Sequence, residues 1–240
     1  MRESAQALQL VAFDADDTLW LTEPGYSAAQ EKLQQLLEPY VELDALAQAV
    51  YETEMRNMPL YGYGAKPFIL SMIETAIELS AGEISARDVR RIIDIGRDML
   101  NQPLSMLPGA RETLERLAPA HNLILITKGD IFDQEGKLAR SGLAGLFRAV
   151  EIVGEKDEAT YARILARHGV EAGRFLMVGN SLRSDVLPVL AIGGRAVHIP
   201  YHITWLHETV DEARLPKDGY FTLENIGQLP ELLEQEFGGG

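Results

Sequence analysis

Apolar and polar positions along this chain follow two regimes. Residues 8–14, Leu-Gln-Leu-Val-Ala-Phe-Asp, are a short apolar run ending in an acid, the pattern of a buried strand. From about Tyr26 to Asn101 the spacing becomes helical. Leu33, Leu36 and Leu37, then Leu43, Leu46, Ala47 and Val50, then Ile69, Met72, Ile73 and Ile77, then Val89, Ile92 and Ile93 recur at three- and four-residue intervals. About four helices are expected here, and Ser85 with Asp88 reads as the capped start of one. Leu60-Tyr61-Gly62-Tyr63-Gly64-Ala65-Lys66-Pro67 interrupts the pattern and reads as a glycine turn between helices.

After Pro108-Gly109 the pattern alternates. Strands are predicted at 122–127, 149–153, 174–178 and 195–199, with a further short one at 220–223. Helices are predicted at 110–117, 132–140, 158–168, 184–191 and 226–235, the second ended by Ser141-Gly142. Alternation implies a parallel sheet covered on both faces. Right-handed crossovers bring the carboxyl ends of its strands to one edge, where such sheets bind ligands. Asp14, Thr127, Glu155-Lys156 and Gly179-Asn180 each directly follow an apolar strand, so the unusual polar residues gather at that edge.

Composition narrows the chemistry. A 240-residue chain with 46% hydrophobic residues has room for one domain carrying a smaller inserted one. The absence of cysteine excludes disulfides, thiolate metal sites and cysteine nucleophiles. A formal charge of −14, from 22 Lys+Arg against 36 Asp+Glu, opposes binding to nucleic acid or an anionic membrane. It would also repel a phosphorylated metabolite unless a bound cation and local basic groups reverse the sign near the site. No signal-peptide pattern opens the chain and no run reaches the roughly 18 apolar residues of a membrane span, so a cytoplasmic location is expected. Gly238-Gly239-Gly240 is expected to be a frayed end without a role.

The first strand runs into Asp14-Ala15-Asp16-Asp17-Thr18. Two carboxylates two residues apart on extended chain project the same way. Acids so close repel unless they share a proton or a cation, and magnesium takes oxygen ligands of this kind together with substrate phosphate. No Gly-x-Gly-x-x-Gly follows a strand and no Gly-x-Ser-x-Gly is present, so dinucleotide binding and a serine-hydrolase elbow lack support. His198 and His202 lie four apart, but Ile199-Pro200-Tyr201 between them argues against the helix that a zinc pair needs.

These residues carry a resemblance. Asp14-x-Asp16-x-Thr18 resembles the first signature of the haloacid dehalogenase-like hydrolase superfamily. Thr127 after Leu-Ile-Leu-Ile resembles the second, Lys156 the third lysine, and Gly179-Asn180-Ser181-Leu182-Arg183-Ser184-Asp185 the fourth, in the family's order over about two thirds of the chain. The resemblance implies an α/β fold, a Rossmann-like parallel sheet of about five strands at 1–20 and 105–240, with a helical cap inserted at 21–104. It implies Asp14, Asp16, Thr127 and Lys156 as catalytic residues. Asp14 is then the nucleophile and Asp16 the acid and base. Magnesium would be held by Asp14, the Asp16 backbone carbonyl and Asn180, with Asp185 in support. Thr127 and Lys156 would bind the phosphoryl group. Lys128 would add positive potential and Lys66, in the cap, could meet a second anionic group.

Two departures stand out. Asn180 replaces the usual aspartate of the fourth signature, and Asp157 replaces a common proline after Lys156, where it would cap the next helix. The acid at Asp16 favours a phosphatase over the dehalogenases, because a halide needs no proton on leaving and an ester oxygen does. The expected activity is magnesium-dependent hydrolysis of a small phosphorylated metabolite through an aspartyl-phosphate. A sugar phosphomutase and a non-catalytic binding member of the superfamily stay open as alternatives, as do monomer and homodimer. Trp20 and Tyr26 fall where the family has a flap over the site, and packing suits both equally.

Overall fold

The computed structural model describes residues 7–40, 46–203, 206–210 and 219–237. Leu43 and Gly238 to Gly240 lie outside these residues. In chain order, β1 (Leu10–Phe13) is followed by four helices, α1 (Glu23–Leu37), α2 (Leu46–Tyr61), α3 (Ala65–Leu79) and α4 (Ala86–Leu100). Alternation then begins: α5 (Ala110–Leu117), β2 (Leu123–Lys128), α6 (Ile131–Ser141), β3 (Ala149–Val153), α7 (Glu158–His168), β4 (Phe175–Gly179), α8 (Leu187–Ala191), β5 (Arg195–His198), β6 (Tyr220–Thr222) and α9 (Leu229–Phe237). Two compact units result, residues 1–23, 104–127 and 137–240 in one, and 24–103 with 128–136 in the other.

The first unit is built on a six-stranded sheet in the order β3-β2-β1-β4-β5-β6, so the short strand expected at 220–223 joins as the sixth. β1 lies parallel to β2 and β4, and β5 lies parallel to β4 and β6. Strand alternation explains why all four residues of β1 are apolar. Val11 and Phe13 pack with Ala110, Leu114 and Leu117 of α5 and Leu229 and Leu233 of α9. Leu10 and Ala12 face the other way, onto Tyr161, Ile164 and Leu165 of α7 and Val189 of α8. A strand covered on both faces has no place for a polar side chain until it leaves the sheet. Asp14 is that first position, and its N–H still donates to Val178 O at 2.9 Å.

One predicted helix changes form. Residues 184–191 begin instead as a π-turn, Leu182–Val186, that runs into α8. Pro188 has no N–H to give to the Ser184 carbonyl four residues back, and that carbonyl accepts the Tyr161 hydroxyl at 2.9 Å. Asp157 does cap α7, accepting from Thr160 N at 2.7 Å.

The second unit buries the helical stripes read from the sequence. Leu33 and Leu37 of α1, Val50 of α2, Phe68 and Met72 of α3 and Ile92 of α4 form its core. Ser85 caps α4 by accepting from Asp88 N at 3.1 Å. Residues 128–136, expected with the sheet, group here. Lys66 pairs with Asp130 at 3.0 Å, Lys128 lies over the Tyr63 ring at 4.2 Å, and Gly64 approaches so closely that a Cβ would lie 3.0 Å from Asp130 N. Gly64 also has φ 111, a conformation that excludes most side chains. Among the described residues no helix is long and apolar enough to cross a membrane.

Candidate active site

The site forms where β1, β2 and β4 end together. Phe13 is in register with Leu125 and with Val178, so Asp14, Thr127 and Asn180 leave neighbouring strands at one edge. Thr127 is buried at the end of β2. After Asp14 the chain turns tightly: the amides of Thr18, Leu19 and Trp20 all point at Ala15 O, and Asp17 N donates to Trp20 O at 2.7 Å. Asp17 takes φ 58, which aspartate tolerates better than most residues. Its carboxylate accepts from Thr22 N at 2.9 Å and from Glu23 N at 3.1 Å, which locks the turn.

Three stretches of chain meet around Asp14: residues 14–18, Lys156 and residues 179–185. The Lys156 ammonium contacts Asp14 Oδ1 and donates to Asp185 Oδ1 at 2.7 Å. All three side chains are buried: Asp14 is 7%, Lys156 4% and Asp185 1% exposed. The Thr18 hydroxyl lies 3.2 Å from Asp14 Oδ2 and 3.3 Å from Asn180 Oδ1, and having one proton it donates to one of them at a time. The second oxygen of Asp185 accepts Ser181 N at 3.0 Å. Gly179 is required beside it, because a Cβ there would overlap the Asp185 carboxylate.

Electrostatics follow from two buried carboxylates sharing one ammonium. Burial works against the Lys156 charge, but Asp14 and Asp185 outweigh it and hold the ammonium above the ordinary lysine range. Burial pushes the Asp14 carboxyl up, to about 7, with Asp185 adding to the rise and Lys156 opposing it. With both carboxyls ionised the cluster carries one excess negative charge in a buried place, which is why Asp14 holds its proton to higher pH. Its remaining donors, Asp14 Oδ2 and Asn180 Oδ1, are hard oxygens gathered around one hydroxyl. That set fits a magnesium ion, which prefers oxygen and neutralises such a charge. Among the described residues no group of three or more His, Asp or Glu side chains is placed to hold a metal, so a site here needs other oxygens, of which the Asn180 amide is one.

Asp16 has a different set of partners. Its Oδ1 accepts Trp20 Nε1 at 2.7 Å and Thr22 Oγ1 at 2.7 Å, and Lys137 Nζ lies 3.1 Å from both carboxylate oxygens. Trp20 is therefore both core and hydrogen-bond donor, while Tyr26 packs on Phe68 in the second unit. Lys66 and Lys128 belong to that unit, with the Lys66 ammonium engaged by Asp130 and lying 5.0 Å from the Phe132 ring centre.

Sequence reasoning passed over Lys137, Thr22 and Glu208, and weighed His198 only as half of a zinc pair. Lys137 carried a signal: with Gln134, Leu138 and Ser141 it forms the buried stripe of α6, where lysine is out of place. Glu208 accepts from the Ser181 and Ser184 hydroxyls, the latter at 2.7 Å, and so ties residues 206–208 to the loop carrying Asn180 and Asp185. His198 donates from Nε2 to Asn180 O at 3.0 Å. Neither of these had a local motif to reveal it.

A family model described as haloacid dehalogenase-like hydrolase matches residues 8–193. The crystal structure of a haloacid dehalogenase-like family hydrolase from Xanthomonas campestris is 42% identical, with a TM-score of 0.86 over 99% of this chain and 95% of that one. A ribulose-1,5-bisphosphate 5-phosphatase from Halopiger xanaduensis is 27% identical over 236 residues, 93% of this chain and 98% of the relative. A 2-haloacid dehalogenase from Pseudomonas syringae shares the fold, at 24% identity and a TM-score of 0.64 over 95% and 99% of the two chains.

Proposed function

The chain belongs to the haloacid dehalogenase-like hydrolase family, and within it we propose a phosphomonoester hydrolase that uses Asp14 as its nucleophile. One observation carries this reading. A strand-end carboxylate is gripped by a buried lysine and a threonine beside an oxygen-donor amide, while a second acid two residues on is held by separate donors.

In the first step an Asp14 oxygen attacks phosphorus, the ester P–O bond breaks, and the leaving oxygen takes a proton from Asp16. In the second, Asp16 takes a proton from water, which attacks the aspartyl-phosphate, releases inorganic phosphate and regenerates Asp14. Lys156 stabilises the charge that builds on Asp14 and the phosphoryl oxygens, and Thr127 orients those oxygens. Magnesium, held by Asp14, the Asp16 carbonyl and Asn180, would supply further neutralisation of that charge. Asp185 has one oxygen on Lys156 and the other on Ser181 N, so it supports the site by holding Lys156 against Asp14.

The presence of Asp16 supports ester hydrolysis over dehalogenation, since a proton donor serves an alkoxide and is wasted on a halide. The relationship to a sugar bisphosphate phosphatase supports a phosphorylated sugar or similar small metabolite as substrate class. The test is phosphate release from an aryl phosphate and from a panel of sugar mono- and bisphosphates, with and without magnesium. Wild-type protein should release phosphate only with the ion, and Asp14→Asn should lose at least about 10⁴-fold while keeping its circular dichroism spectrum. Undiminished turnover in Asp14→Asn would remove the mechanism. An isomerised sugar phosphate in place of free phosphate would make the protein a mutase.

A further inference from the structure

We infer that Lys137, with Thr22, is the positioning device for Asp16. This rests on the phosphatase reading, in which Asp16 is the acid and base. Both residues lie in the same compact unit as Asp16. Lys137 is 8% exposed, and its ammonium sits 3.1 Å from each oxygen of Asp16. The Asp16 side chain is 26% exposed, so solvent and substrate have access to the carboxylate but hardly to the lysine beneath it.

The grip is directional. An indole N–H and a hydroxyl, both at 2.7 Å, and an ammonium converge on Oδ1. Rotating the carboxylate about Cβ–Cγ would break the two 2.7 Å bonds together, and the ammonium straddles both oxygens. Trp20 and Thr22 come from the turn that follows Asp16, with the Trp20 ring buried in the core as one anchor of that turn and Thr22 adding only a local bond. Lys137 comes from α6, 121 residues away in sequence, and anchors that turn to the sheet-and-helix scaffold. A general acid must lie within hydrogen-bond reach of the leaving oxygen, and small misplacement is costly. The lysine's charge is spent on this anchoring, which explains why a buried helix stripe holds a cation.

The test separates positioning from simple stability through the leaving group. A 2,4-dinitrophenolate leaves without protonation, whereas an alkoxide does not. For wild type, Lys137→Met, Lys137→Arg and Thr22→Val, kcat/KM is measured on 2,4-dinitrophenyl phosphate and on glycerol 2-phosphate. This constant reports the steps up to ester cleavage, before hydrolysis of the aspartyl-phosphate. Lys137→Met should lose about 10- to 100-fold on the alkyl ester, a fraction of the usual acid contribution, and less than about threefold on the aryl ester. Lys137→Arg should recover most of the loss, and Thr22→Val should show a smaller loss with the same selectivity. Equal loss on both esters, or none, in both Lys137→Met and Thr22→Val overturns the inference while leaving the phosphatase reading intact. Should Lys137→Met fail to fold, Thr22→Val decides by the same criterion. A wild-type protein that cleaves neither ester overturns both.

Discussion

Replacing Lys156 by Met removes the ammonium that touches both Asp14 and Asp185 and leaves two carboxylates buried beside each other. Removing one partner of a buried ion pair costs about 3–5 kcal/mol. For a domain of roughly 150–250 residues the unfolding midpoint moves about 2–4 °C per kcal/mol, which gives a fall of about 6–20 °C. The deficit should depend on pH. Without the ammonium the Asp14 carboxyl, already pushed up by burial, holds its proton to still higher pH, so the folded state binds more protons than the unfolded one from about pH 4 upward, and stability falls as pH rises through that window. Thermal unfolding of wild type and variant by circular dichroism, at pH 5.5 and pH 8 with EDTA present, should show the larger gap at pH 8. Lys156→Met with Asp185→Asn should recover at least half of that gap, because one buried charge then remains in place of two. A midpoint within about 2 °C of wild type, or a gap that is the same at both pH values, would mean that the three groups do not share a buried cluster, and the electrostatic account of the site would fall.

Glu23 offers a second titration. Burial, then Asp17 and Asp16, push its carboxyl up to about 7 from an ordinary 4.5, so its contribution to stability is present below pH 4.5 and lost as pH rises to 7. Glu23→Gln should therefore gain on the order of 1 kcal/mol over wild type at pH 8 and nothing at pH 4.5; a gain independent of pH would contradict the assignment. Asn180→Asp adds a charged oxygen where a neutral one meets Asp14 through Thr18. The magnesium dissociation constant, measured by calorimetry, should fall by roughly tenfold, and an unchanged value would place Asn180 outside the ion's ligands.

The strands, the helical insert and the edge at which chemistry gathers were legible in the sequence because each is a local pattern. β1 is four apolar residues buried on both faces, ended by an acid. α3 and α4 repeat their apolar residues at helical spacing. Asp14 and Asn180 stand directly behind β1 and β4, Thr127 is next to last in β2, and Lys156 lies three residues past β3. Local patterning also sufficed for the Ser85 and Asp157 caps, since a cap is satisfied within three residues. Where a backbone partner lay far off, patterning failed. The start of α8 became a π-turn because Pro188 withholds a donor and Tyr161 supplies one from another helix.

Tertiary structure alone decided which charge meets which. Asp14 and Asp16 are two residues apart, yet one is paired with a lysine 142 residues later and the other with a lysine 121 residues later. Asp185 is turned inward onto Lys156 and Ser181 N, while Lys66 finds Asp130 and Lys128 finds Tyr63. Sequence limits which side chains are available at a strand end. The energy of a buried charge, however, depends on its distance to the opposite charge and on the water excluded between them, and both quantities exist only once the strands have been laid side by side.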